Sequence, residues 1–203
     1  MQTPDLTATR AAAAVAVALL LGTTGAVSAA AGGPARAAGA PSAAQRTIAA
    51  QRLTVGPGTV RPGTVVPARD LSSRTYVDPR HGFALADYGQ ATYPAASTNG
   101  GRTWHTSGPA LVVHAAQAPL EVEELTAINT SRYFATGNSQ AVDATADGGR
   151  NWYRTVFPGE LIAVVWRATG LTAVVAGGTG ATPTNWVYVS TDGGRRWRYR
   201  AGT

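Results

Sequence analysis

The sequence predicts an all-β chain: a partial β-propeller of about three four-stranded blades, behind an N-terminal signal and a linker. Three observations carry that prediction. One octapeptide occurs three times, as Ser97-Thr98-Asn99-Gly100-Gly101-Arg102-Thr103-Trp104, Thr145-Ala146-Asp147-Gly148-Gly149-Arg150-Asn151-Trp152 and Ser190-Thr191-Asp192-Gly193-Gly194-Arg195-Arg196-Trp197. The closing tryptophans follow one another at a pitch of about 46 residues, a spacing typical of architectures built by repetition. Between the copies, short runs of β-formers alternate with Gly, Pro, Asn and Ser clusters, and no helical stripe follows the linker.

Each part of the octapeptide has a local reason. The Asp or Asn at the third position can accept hydrogen bonds from backbone N–H groups two residues on, which closes a turn. The Gly pair supplies positive φ without a Cβ clash, as a tight hairpin requires. The Trp opens the outgoing strand and offers a large apolar face to the neighbouring sheet. The leading Ser or Thr ends the incoming strand. This stretch resembles the Asp-box, or BNR, repeat of the sialidase-like propellers, Ser/Thr-x-Asp-x-Gly-x-Thr/Ser-Trp. The first, fifth and eighth positions match in every copy: Ser97, Thr145 and Ser190; Gly101, Gly149 and Gly194; Trp104, Trp152 and Trp197. At the third position Asp147 and Asp192 match while Asn99 departs, and Asn151 and Arg196 stand where the family prefers a hydroxyl. In that family the boxes are structural hairpins away from the active site, so the resemblance implies a structural role for these positions. A calcium loop fails on ligand count, since a box offers at most one carboxylate and calcium takes roughly six to eight oxygens.

The 203 residues, 44% of them apolar, are enough for one domain with a core of its own. All 17 basic residues are Arg, and against 11 acidic ones they leave a net charge of +6. That balance permits anionic partners without demanding one. The absence of Cys excludes disulfides, thiolate metal sites and Cys nucleophiles. Residues 1–31 read as a secretory signal: Arg10 near the amino end, an apolar run over 11–21 too short to span a bilayer comfortably, then small residues that suit cleavage. A retained membrane anchor is the alternative. Residues 32–52 are rich in Ala, Gly and Pro and read as a flexible linker, with a helical turn from Thr47. Residues 53–203 are the repeat region, with blades at about 70–107, 110–157 and 160–201. The expected location is secreted, periplasmic or in a bacterial cell envelope, off the membrane once processed.

Working backward from each box places strands near 74–77, 82–86, 91–97 and 103–106 in the first blade. The second has them near 122–129, 133–136, 140–145 and 152–156, and the third near 161–166, 172–176, 186–190 and 197–200. Glu121 and Glu123 project to one face of a strand and Glu124 to the other, which reads as a solvated edge rather than a catalytic pair. His81, His105 and His114 lack a short metal spacing and read as turn or strand residues. Gly177-Gly178-Thr179-Gly180 lacks the Lys and helix of a phosphate loop and reads as a hairpin connection. Arg196, Arg198 and Arg200 interleave with aromatics as in a nucleic-acid grip, but the repeat already uses those aromatics. They read as an exposed face that protects an edge.

The resemblance covers roughly residues 70–201. Through the Gly-Phe-Ala-Leu-Ala run at 82–86 followed by a box, it extends to propellers related to photosystem II assembly factors and to sortilin-type ectodomains. Those are binding scaffolds, so it implies a non-catalytic propeller that binds a protein or glycan, with no cofactor, no metal and no specific nucleic acid. The alternative is a sialidase-like glycoside hydrolase fragment, whose relatives use an Arg triad, a Tyr nucleophile with Glu and an Asp acid/base. Six blades need roughly 276 residues at this pitch, and a triad drawn from several blades does not assemble on about half a ring. The expectation is a truncated propeller, or two copies that pair to close a ring.

Overall fold

The computed structural model describes residues 40–113, 122–137, 140–177 and 184–202. The signal, the first part of the linker, His114, Glu121 and residues 178–180 lie outside the described residues. The strands in chain order are β1 (Thr47–Ala49), β2 (Gln51–Leu53), β3 (Val65–Val66), β4 (Leu71–Tyr76), β5 (Gly82–Tyr88), β6 (Ala91–Ser97), β7 (Trp104–Thr106) and β8 (Val112–Val113). They continue with β9 (Glu124–Ala127), β10 (Tyr133–Thr136), β11 (Ala141–Thr145), β12 (Trp152–Val156), β13 (Leu161–Arg167), β14 (Gly170–Gly177), β15 (Thr184–Ser190) and β16 (Arg196–Gly202). The fold is all-β, with three antiparallel sheets. Sheet I runs β3-β7-β6-β5-β4 with β8 also on β6, sheet II runs β2-β12-β11-β10-β9, and sheet III runs β1-β16-β15-β14-β13. The four strands expected from each repeat are present in each sheet.

Register is the same in all three sheets, and the box sets it. Ser97, Thr145 and Ser190 stand opposite Gly82, Tyr133 and Leu171 on the preceding strand. One residue further on, Phe83, Phe134 and Thr172 therefore occupy equivalent places. Because side chains alternate across a strand, each sheet has one face that carries the box Trp and one that carries this Phe or Thr. The Trp face of each later sheet packs on the Phe face of the one before. Phe83, Leu85 and Leu111 of sheet I meet Leu125, Tyr133, Ala135 and Trp152 of sheet II. Phe134, Val142, Ala144 and Phe157 of sheet II meet Leu171, Ala173, Val175, Tyr188 and Trp197 of sheet III. Rings meet across these layers, with Phe83 and Tyr133 centroids 4.6 Å apart and tilted and Phe157 and Trp197 5.1 Å apart and edge to face, while Tyr133 and Trp152 stack edge to face within sheet II. A tryptophan this deeply buried removes about 150–250 Å² from water, roughly 4–6 kcal/mol of transfer free energy at most.

The segment from Thr47 to Val66 departs from the linker expected at its start. It is an arm that adds an outermost strand to every sheet, in the reverse of chain order: β1 on sheet III, β2 on sheet II, β3 on sheet I. Each addition places an apolar arm residue opposite a box tryptophan, namely Ile48 on Trp197, Leu53 on Trp152 and Val66 on Trp104. The helical turn expected from Thr47 is replaced by strand, and the only turn of helix nearby is a 3-10 turn at Ala43–Arg46. The physical reason is tertiary. The strand that carries each box Trp has an unpaired outer edge, and the arm satisfies its N–H and C=O groups while it covers the indole. Between β2 and β3 the arm is pinned by Val60 N–H donating to the Tyr93 hydroxyl (3.0 Å) and by the Thr106 hydroxyl donating to Arg61 C=O (2.8 Å).

A bulge in β4 between Ser72 and Thr75 puts Ser73 at φ 46. Its hydroxyl there accepts from Leu125 N–H of β9 at 2.7 Å, which ties the inner strands of sheets I and II together.

Candidate functional site

The three boxes fold alike. In the first, Ser97 Oγ accepts from Gly101 N–H (2.9 Å) and donates to Asn99 Oδ1 (3.0 Å). Asn99 Oδ1 accepts from Thr103 N–H (3.0 Å), and its Nδ2 donates to Thr103 Oγ1 (2.8 Å). In the second, Thr145 Oγ1 accepts from Gly149 N–H (3.0 Å) and donates to Asp147 Oδ1 (3.0 Å), which also takes Asn151 N–H (2.9 Å). Asn151 Nδ2 donates to Asp147 Oδ2 at 2.6 Å. In the third, Ser190 Oγ does the same between Gly194 N–H (2.9 Å) and Asp192 Oδ1 (2.8 Å), and Asp192 takes the N–H groups of Arg195 and Arg196. The glycine pair has φ between 73 and 91 in all three, a region costly for a residue with Cβ. Gly149 also leaves no room for Cβ, since one there would run into the Ser107 carbonyl of sheet I.

Asp147 and Asp192 each accept three hydrogen bonds within their own turns, and the Asp147 carboxyl is also partly buried. Its partial burial acts to raise its pKa, but hydrogen bonds from Asn151 and Thr145, and the Arg195 charge, outweigh it and hold the carboxyl below the ordinary 3.8. The indole N–H groups differ between copies. Trp104 and Trp197 donate to the carbonyls of Gly101 and Gly194 (3.0 and 3.2 Å), whereas Trp152 Nε1 is buried without a partner.

The sequence reading missed a buried ion pair. Asp143 and Arg154, 1% and 5% exposed, face each other across β11 and β12 on the Trp side of sheet II. Arg154 Nε donates to Asp143 Oδ1 at 2.8 Å, Nη2 donates to Oδ2, and Nη2 also reaches the Leu111 carbonyl in the connection from sheet I. Burial pushes the Asp143 carboxyl up, and the Arg154 guanidinium works against that. The signal was available: each residue lies two positions from a box residue, Thr145 and Trp152, so the box register alone pairs them. The equivalent positions hold Ala95 and Thr106 in sheet I and Tyr188 and Tyr199 in sheet III. The pair is therefore a local solution to one slot, with its donors and acceptors turned on each other and on the backbone.

The remaining sequence candidates are dispersed. His81 Nδ1 lies 2.7 Å from Asp78 in a turn, and His105 Nδ1 lies 3.2 Å from Gly63 C=O on the arm. Glu124 opens β9 in an exposed position, with Glu123 just before it. Among the described residues no group of three His, Cys, Asp or Glu could hold a metal ion. Burial raises Tyr133 and Tyr188 to about 12. Both hydroxyls stay protonated at neutral pH, the reverse of what an attacking phenolate needs.

One surface is built differently from the rest. The Thr172 face of sheet III, opposite its Trp face, carries the cross-strand row Val165, Thr172, Val189, Arg198 and Thr47. Ile162 and Val165 are 54% and 44% exposed at its inner edge. Arg196, Arg198 and Arg200, all exposed, line an open cleft there with Val189, Thr191 and Asp192. Neither the family models nor the curated proteins compared with this chain match it.

Proposed function

We propose that the chain is a three-bladed section of an Asp-box β-propeller, exported to the bacterial envelope, that serves as a non-catalytic scaffold for a protein partner. One observation carries this reading: the side chains at positions one and three of each box, and the buried Asp143–Arg154 pair, hydrogen-bond to one another within the scaffold. Three further facts support it. The sheets share one register, they stack Trp face on Phe face, and their innermost strands β4, β9 and β13 lie at corresponding edges, as blade stacking in a propeller requires. Homodimeric ring closure and glycan binding belong to the same proposal as other ways to occupy the scaffold.

Hydrolysis of a fluorogenic aryl sialoside by the purified chain is the test. No turnover above a heat-denatured control is expected. Saturable turnover that follows the folded fraction would replace the scaffold reading with the glycosidase one.

A further inference from the structure

The arginines of β16 are not required by the repeat that carries them. Arg196 corresponds to Thr103 in the first box and Asn151 in the second. Both of those side chains bond back to the box residue at position three, at 2.8 and 2.6 Å. Arg196 gives Asp192 only its backbone N–H. The third copy thus forgoes a side-chain bond in the turn and places a guanidinium on the open face instead. Arg198 likewise stands where the other sheets have His105 and Tyr153. Among the described residues none of the three arginines takes part in an ion pair, although Asp192 shares their cleft. The Asp192 carboxylate already accepts the Ser190 hydroxyl and two backbone N–H groups.

We propose that this face docks an extended acidic segment of a protein partner, with carboxylates at alternate residues seated on Arg196, Arg198 and Arg200. The proposal rests on the scaffold reading and narrows it to one face and one class of partner. Alternate residues of an extended strand stand about 6.5–7 Å apart. A β-strand-like peptide with an acid at every second position repeats at that interval, in step with Arg196 and Arg198, and Arg200 follows at the bulge of β16 between its pairings with Tyr188 and Val187. Guanidinium forks suit carboxylates, which they can hold through two parallel hydrogen bonds. Val165 and Val189, in the row that leads to Arg198, give the site an apolar flank that a protein segment can cover and a bare phosphate polymer cannot. Single-stranded nucleic acid lacks a platform here. Trp197 and Tyr199 point to the other face and pack into the core, so among the described residues the arginine cleft has no ring in its lining on which bases could stack.

Fluorescence anisotropy with a labelled heptapeptide of alternating Glu and Ser tests this at low salt. The triple variant Arg196→Gln/Arg198→Gln/Arg200→Gln should bind about tenfold more weakly than the wild type, as expected for three exposed ion pairs acting together. A control, Arg80→Gln/Arg102→Gln/Arg150→Gln, removes the same charge elsewhere and should change affinity less than about twofold. A peptide of the same composition with its glutamates contiguous should bind the wild type several-fold more weakly. Should the triple variant lose its cooperative melt, Arg200→Gln alone provides the comparison and should weaken binding about twofold to threefold. Equal losses in both triple variants, no preference for the alternating peptide, or no saturable binding would each overturn the proposal. So would tighter, arginine-dependent binding of inorganic polyphosphate or oligo-dT, which would assign the face to a phosphate polymer. Sialoside turnover would sink the scaffold reading while leaving the peptide result standing, so the two failures are distinguishable.

Discussion

Phe83, Phe134 and Thr172 hold the same place in three sheets of one register, each a single residue past the partner of a box Ser or Thr. The two phenylalanines are buried between sheets, at 4% exposure each, with Ala96 and Ala144 beside them on the next strand. Thr172 lies on a face that no described sheet covers, with Val189 and then Arg198 in its row. Backbone geometry is held constant by the box while the face chemistry follows what packs on it. The box therefore specifies where a side chain points, and the neighbour decides what that side chain is. Sheet III ends the described stack with a polar and basic surface, where sheets I and II present rings.

The sharpest way to break this comparison is to truncate the equivalent positions. Phe134→Ala should cost about 3–5 kcal/mol in urea denaturation through lost burial and a residual cavity. Thr172→Ala should stay within about 0.5 kcal/mol. A large loss at Thr172 would mean that its face is covered.

The slot held by Asp143 and Arg154 separates pairing from packing. Asp143→Ala alone should cost about 3–5 kcal/mol, because it leaves a buried guanidinium unpaired. The double replacement Asp143→Tyr/Arg154→Tyr copies sheet III and should recover most of that loss in the same assay. If the double variant were no better than the single, the Leu111 tether through Arg154 would outweigh the ion pair itself.

A smaller effect distinguishes the boxes. Asp192→Ala removes hydrogen bonds worth on the order of 1 kcal/mol each and should lower the melting temperature. Because the Asp192 carboxylate shares the arginine cleft, the same change should not weaken acidic-peptide binding per folded molecule and should strengthen it slightly; weaker binding with unchanged stability would make the turn part of the docking site.

The smallest expected effect is in acid. The Asp147 carboxyl is depressed below 3.8, so its contribution to stability is complete above that value and fades as pH falls through the lower folded-state value. Asp147→Asn should remove that part of the acid loss, since Asn99 makes the same box without a titrating group. A denaturation midpoint with an unchanged pH profile would show that the carboxylate is not what the acid titrates.

Most of the sheet strands were legible because the box fixes both a turn and a register, and the strands around it are rich in Val, Tyr, Trp and Thr. The arm was not. Thr47-Ile48-Ala49 and Gln51-Arg52-Leu53 are too short to show alternation, and they are strands only because β16 and β12 offer edges far away in sequence. Composition reads the chain up to residue 52 as linker, with a helical turn from Thr47, because nothing local to it shows the partner strands. The alternation at Arg196, Arg198 and Arg200 placed all three on one exposed face, as found. What the sequence could not supply was the state of the neighbouring face, which decides between a guarded edge and a docking surface.

The arm's path also has a consequence for how the chain folds. A polypeptide emerging from its N-terminus makes Ile48 and Leu53 early, but their partners Trp197 and Trp152 come late, and Trp197 last of all. The hairpins of sheets I, II and III are local and can close as they appear, whereas β1 pairs across nearly the whole described length, a loop whose closure is slow. Assembly then runs in two directions, with sheets forming forward and β1 of the arm seating only once β16 exists. Pulse-labelled hydrogen exchange should find the Ala50 amide, which donates to Arg195 C=O at 2.9 Å, protected after the amides of β5 and β6. Simultaneous protection would place the arm in the folding nucleus instead.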